Sequence, residues 1–105
     1  MKRGLMIFTA VILTAKLGTV QYNGHRETFY NLPMTRIEKR ANDFYGLENV
    51  FEIREDGVKT YNGFVICAVD KSIPYGTVIE TSRGIGLALD YHTTSAETVD
   101  LATNW

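Results

Sequence analysis

A chain of 105 residues has room for one independently folded core and almost none for a second. Hydrophobic residues make up 45% and charged residues 22%, a balance that excludes a disordered chain and belongs to ordinary globular domains. The net charge of −1 sets nucleic acid aside as a partner, because a polyanion is gripped by a clustered excess of Lys and Arg.

Lys2 and Arg3 precede LMIFTAVILTA, a stretch without a single charge. A basic start followed by a short apolar run is the pattern of a signal peptide over 1–15, too short to serve as a comfortable permanent span. It predicts export, leaving 16–105 as a single domain in a secreted or cell-envelope location, with membrane contact only through this segment. Ala15 supplies a small residue at the cleavage point, whereas Leu13 stands where a second small one is preferred. In the alternative, residues 1–15 form a buried strand or helix of the fold and the protein is cytoplasmic.

From Gly18 to Tyr30, GTVQYNGHRETFY reads as a strand or hairpin turning on Asn23-Gly24, a pair that tolerates positive φ at both central positions. The helix signals follow in MTRIEKRANDFYG. Thr35 and Glu38 have the spacing of a capping box, and Ile37, Ala41 and Phe44 form one apolar stripe. Gly46 ends the helix with a left-handed cap. Arg36, Lys39, Arg40 and Asp43 form the polar face, read as a solvated surface in preference to a binding patch.

The remainder predicts strands at 50–54, 58–61, 64–69, 77–81, 85–91 and 99–103, with Asx-Gly turns at Asp56-Gly57 and Asn62-Gly63. Many short strands, Gly-marked turns and one helix predict a mainly β fold, a small closed or nearly closed barrel. Cys67 stands alone in the apolar run FVICAV and reads as a buried small hydrophobe. A Cys/His nucleophile drawing on His25 or His92 is the minor alternative.

Three aspartates each adjoin an apolar strand: Asp70 after FVICAV, Asp90 after GLAL and Asp100 after Thr98-Val99. By spacing alone, an Asp at a strand end accepts backbone hydrogen bonds and does nothing more. The surrounding residues add to this. AVDKSIPYGTVIE, GIGLALD and TVDLA, taken in order between Phe64 and Trp105, resemble the signature of the three-aspartate (3D) domain family. Its pattern falls on Ala68, Val69 and Asp70, on Ile73, Pro74, Gly76 and Thr77, on Gly84 and Gly86 before Asp90, and on Asp100 with Leu101. The chain departs from the family after Asp90, where YHTTSAET holds no glycine.

The resemblance implies a double-psi β-barrel like the catalytic barrel of membrane-bound lytic transglycosylases, acting on peptidoglycan glycan strands without metal or cofactor. It implies that Asp100 is the catalytic acid that cleaves the MurNAc–GlcNAc bond to a 1,6-anhydro product. Asp70 and Asp90 are then expected to stay ionised and raise the Asp100 pKa, while Tyr91, His92 and Thr93, directly after Asp90, are candidates for lining the cleft, with exposed loop filler as the preferred reading. A glycoside hydrolase and a non-catalytic wall-binding or accessory domain are the rival functions. If the three carboxylates met at one point, a hard cation would be the alternative ligand.

Overall fold

The computed structural model describes residues 19–92 and 95–105. The signal-peptide reading of 1–15 and the cleft residue Thr93 therefore lie outside the described residues. Among the described residues no helix is long and apolar enough to cross a membrane.

The fold is mainly β, with eight strands and one helix among the described residues. The strands are β1 (Val20–Tyr22), β2 (His25–Tyr30), β3 (Phe51–Ile53), β4 (Lys59–Tyr61), β5 (Phe64–Asp70), β6 (Val78–Thr81), β7 (Gly84–His92) and β8 (Thr98–Ala102). The helix, α1, spans Thr35–Tyr45 and connects β2 to β3. Both Asn-Gly turns form with positive φ at each central residue, 49° and 85° at Asn23-Gly24 and 52° and 84° at Asn62-Gly63. At Asp56-Gly57 only the glycine has positive φ, 85°, giving a longer hairpin loop in which the Arg54 amide bonds the Val58 carbonyl at 2.9 Å.

β5 is the hub of the sheet. β7 runs parallel along it, while β4 and β8 pair antiparallel with its beginning and its middle. β8 then pairs parallel with β2, β2 antiparallel with β1, and β6 antiparallel with β7. The hydrogen-bonded order leaves the sheet unclosed. A side chain spans the seam instead. Glu27 on β2 is fully buried and accepts hydrogen bonds from the Ser82 amide at 3.0 Å and the Ser82 hydroxyl at 2.5 Å, in the β6–β7 turn. The sheet is curled enough for these distant elements to meet.

Alternation along the strands sorts residues into two cores. Val65, Cys67, Val69, Ala88, Val99 and Leu101 face inward and pack with Val58. Ile66, Leu87, Leu89 and Ala102 face outward and are covered by Met34, Ile37 and Ala41 from the helix region. α1 covers part of this outer face, where Ile37 and Ala41 are buried against it.

The start of α1 differs from the expected capping box. Met34 occupies the cap position, no side chain caps the helix, and Thr35 is already its first helical residue. Met34 is buried in the outer core, and the helix begins there one residue earlier than a Thr35 cap requires, so that the Thr35 hydroxyl lies inside the first turn and the Glu38 amide bonds the Met34 carbonyl at 2.7 Å. The stripe buries Ile37 and Ala41, but Phe44 is 59% exposed and packs edge-on against Tyr45 and Tyr75. Gly46 does provide the left-handed cap, its amide bonding the Asn42 carbonyl at 2.8 Å. On the polar face Lys39 pairs with Asp43 in the open, and Arg40 lies over the Tyr75 ring.

Candidate active site

The three predicted aspartates lie on one face of the sheet, on three adjoining strands. Ala68 at the centre of β5 is in register with Asp90 on β7 and with Asp100 on β8, and Asp100 is in register with Thr28 on β2. Asp90, Ala68, Asp100 and Thr28 therefore form a row across four strands. Two strand spacings put the backbones of the two aspartates about 9.5 Å apart. Two residues along β5, Asp70 is in register with His92 on β7, so both belong to the same face.

A β-bulge produces this arrangement. Cys67 pairs with Ala88, but Ala68 pairs with Asp90, so Leu89 is an extra residue. Without it, strict alternation would turn Asp90 toward the apolar inner core, because one residue of register exchanges the two faces. Leu89 stays buried under the helix region while Asp90 emerges beside Ala68.

Each carboxylate has a different set of donors. Thr28 Oγ1 donates to Asp100 Oδ1 at 2.9 Å. The Tyr30 hydroxyl donates to Asp90 Oδ2 at 3.1 Å, and the Tyr91 amide to Asp90 Oδ1 at 2.8 Å. Tyr30 belongs to β2 and Asp90 to β7, so this side chain reaches across β8 and β5. Its register partner is Ala102, and the small Ala102 and Ala68 leave the path open. Asp70 instead accepts from the Ser72 amide at 3.0 Å and from the Ser72 hydroxyl, inside its own turn.

Electrostatics separates the carboxyls. Burial pushes Asp100 above the ordinary aspartate range, the Thr28 hydrogen bond and His92 oppose that rise, and Asp90 adds to it. Asp70 is held below its ordinary value, chiefly by the two Ser72 hydrogen bonds, with His92 and Lys71 assisting. Asp90 thus acts on Asp100 as a like charge, whereas Asp70 is tied to its own turn and is not among the groups that raise Asp100. Among the described residues, no three His, Cys, Asp or Glu side chains converge in a way that could hold a metal ion.

The cleft candidates divide. His92 shares the aspartate face, donates from Nε2 to the Thr98 carbonyl at 2.7 Å, and acts electrostatically on both Asp70 and Asp100. Tyr91 is in register with Val69, packs against the inner core and gives its hydroxyl to the Ile73 carbonyl at 3.2 Å. The Arg40 guanidinium of α1 lies 5.9 Å from the Tyr91 ring centre, and the Tyr91 backbone amide is the group that bonds Asp90.

Thr28 and Tyr30 are site residues that the sequence did not announce. The alternation of Arg26, Thr28 and Tyr30 with Glu27 and Phe29 was visible, but nothing local showed that β2 would lie parallel to β8. Cys67 is buried, and its surroundings raise the thiol well above its ordinary value, burial first and the Glu27 and Asp100 charges after it. Such a thiol is a core side chain without nucleophilic character. His25, the other half of that alternative, donates from Nε2 to Glu27 at 2.9 Å. No family model matches the chain, and comparison with curated proteins and with solved structures finds no match.

Proposed function

We propose that this chain is a 3D-type domain that cleaves peptidoglycan glycan strands as a lytic transglycosylase, with Asp100 as its single acid–base catalyst. The observation that carries this reading is the pairing of Asp90 and Asp100 across Ala68, on one face of the sheet, with Asp100 raised by burial. A general acid must hold its proton near neutral pH, and burial with a like charge nearby is the means by which a carboxyl does so.

In the first step Asp100 gives its proton to the glycosidic oxygen as the C1–O bond of the MurNAc residue breaks and the GlcNAc end departs. In the second, the C6 hydroxyl of the same MurNAc bonds to C1 and the Asp100 carboxylate takes the hydroxyl proton. Asp100 returns to its starting state, no water is consumed and the product carries a 1,6-anhydro ring. Asp90 contributes charge beside Asp100, and His92 moderates it.

The finer architecture proposed with this function is a double-psi β-barrel. Its support is the combination of two parallel pairings, β2 with β8 and β5 with β7, with a curled sheet whose seam Glu27 and Ser82 bridge. Action on the wall also requires export, for which the basic and apolar opening of the chain is suited.

Digestion of purified peptidoglycan, read by mass spectrometry, tests the reading. Anhydro-muropeptides are the expected products. Reducing ends would assign a hydrolase instead, and retention on the wall without soluble products would assign a binding domain.

A further inference from the structure

We infer that Thr28 and Tyr30 of β2 are the positioning residues of this site, Thr28 fixing which oxygen of Asp100 carries the proton and Tyr30 fixing the orientation of Asp90. The inference rests on the acid–base role proposed for Asp100, and it names residues that the three-aspartate pattern does not contain. Its basis is geometric. The parallel register of β2 with β8 sets Thr28 directly beside Asp100, and the next outward residue, Tyr30, extends to Asp90.

A hydroxyl that donates to Oδ1 of a carboxyl occupies that oxygen as an acceptor. The acid proton of Asp100 is then carried on Oδ2, to which no described residue donates. One oxygen is anchored and the other is presented. Asp90 is gripped on both oxygens, by the Tyr30 hydroxyl and by the Tyr91 amide, which prevents rotation about its terminal torsion.

Burial, and after it the charges of Asp90 and Asp100, pushes the Tyr30 phenol far above its ordinary value. It therefore remains a donor throughout the neutral range. The titratable groups acting on Asp100 from other strands are Asp90 and His92 on β7, on the far side of β5, while Tyr30 acts from β2. Asp70 on β5 interacts with His92, and Cys67 lies on the inner face of β5.

The test combines carboxyl-carbon NMR titration of aspartate-labelled protein with kinetics on peptidoglycan. Thr28→Val removes the donor at nearly constant shape, so the Asp100 midpoint should rise and the alkaline limb of kcat should move up with it. Thr28→Ser should restore both. Tyr30→Phe should lower kcat about tenfold while KM stays within about twofold, as for a group that orients the site without holding substrate. It should also change the Asp90 carboxyl shift. An Asp100 midpoint unmoved in Thr28→Val, or an Asp90 signal and kcat unmoved in Tyr30→Phe, would overturn the assignment.

Dispersed amide spectra establish that each variant is folded. If Thr28→Val does not fold, Thr28→Ala supplies the same titration. If the unmodified chain releases no muropeptides, the lytic reading fails while the titrations still decide whether Thr28 and Tyr30 control the two carboxyls.

Discussion

Asp90 and Asp100 stand on either side of Ala68, in register with the same residue from opposite edges of β5. Their placement makes the two carboxyls unequal in chemistry, and substitution should expose the inequality. Asp100→Asn removes the only group proposed to exchange protons with the sugar, so muropeptide release should fall by about a thousandfold or more. Asp90→Asn removes a neighbouring charge and should cost about ten- to a hundredfold, with a lowered Asp100 midpoint. Initial rates on purified peptidoglycan, with wall binding measured alongside, check both. Equal losses in the two variants would contradict the division of roles.

The opposite shifts of Asp100 and Asp70 give opposite pH dependences of stability. Asp100 is raised in the fold, so its contribution is fully present below the unfolded pKa and is lost as pH rises through the folded value. Asp70 is lowered, so its contribution is present above the unfolded pKa and is lost as pH falls through the folded value. Asp100→Asn should therefore raise the melting temperature at pH 7 by more than at pH 4. Asp70→Asn should lower it at pH 7, with the difference fading in acid. Thermal melts of both variants at the two pH values decide the signs.

Glu27 bridges the seam that backbone hydrogen bonds leave open, with Ser82 and His25 as donors to its fully buried carboxylate. Glu27→Leu would leave the half-buried Ser82 amide and hydroxyl without their acceptor, a loss of about 1–3 kcal/mol. Urea unfolding should show that loss, and hydrogen exchange should show earlier opening at Ser82 than at the β5–β7 ladder. Uniform exchange across both sites would mean that the seam is held by something else.

Local signals in the sequence were enough for the helix body, its Gly46 end, both Asn-Gly turns and the strand that carries Asp70. These depend on residues within a few positions of one another. What could not be read is the set of relations between distant strands. Thr28 and Asp100 are 72 residues apart, and their contact depends on a parallel pairing that no turn residue specifies. The bulge at Leu89 is equally hidden, because GLALD alternates as well without it as with it. A continuous apolar run gave no indication that Asp90 would face outward while Tyr91 turned in. Met34 and Phe44 mark the other difficulty: burial at the helix ends is decided by the surface that the helix meets.

Gly86 is fixed by close approach. A methyl group there would come within 2.6 Å of Cys67 Sγ and 2.8 Å of the Val65 carbonyl, across the parallel β5–β7 ladder. The thiol can be removed but the carbonyl is backbone, so the two obstacles can be separated. Gly86→Ala should cost about 1–3 kcal/mol by overpacking. Adding Cys67→Ala should recover part of the loss and leave the part owed to Val65, which a double-mutant cycle measures as a favourable coupling. The ladder that Gly86 spaces also carries the register that sets Asp90 beside Ala68. The single variant should therefore lose activity beyond its loss of folded protein, and the double variant should regain some of it. If the two substitutions were simply additive in urea unfolding, the thiol would not be the obstacle, and the glycine would be needed for the Val65 carbonyl alone.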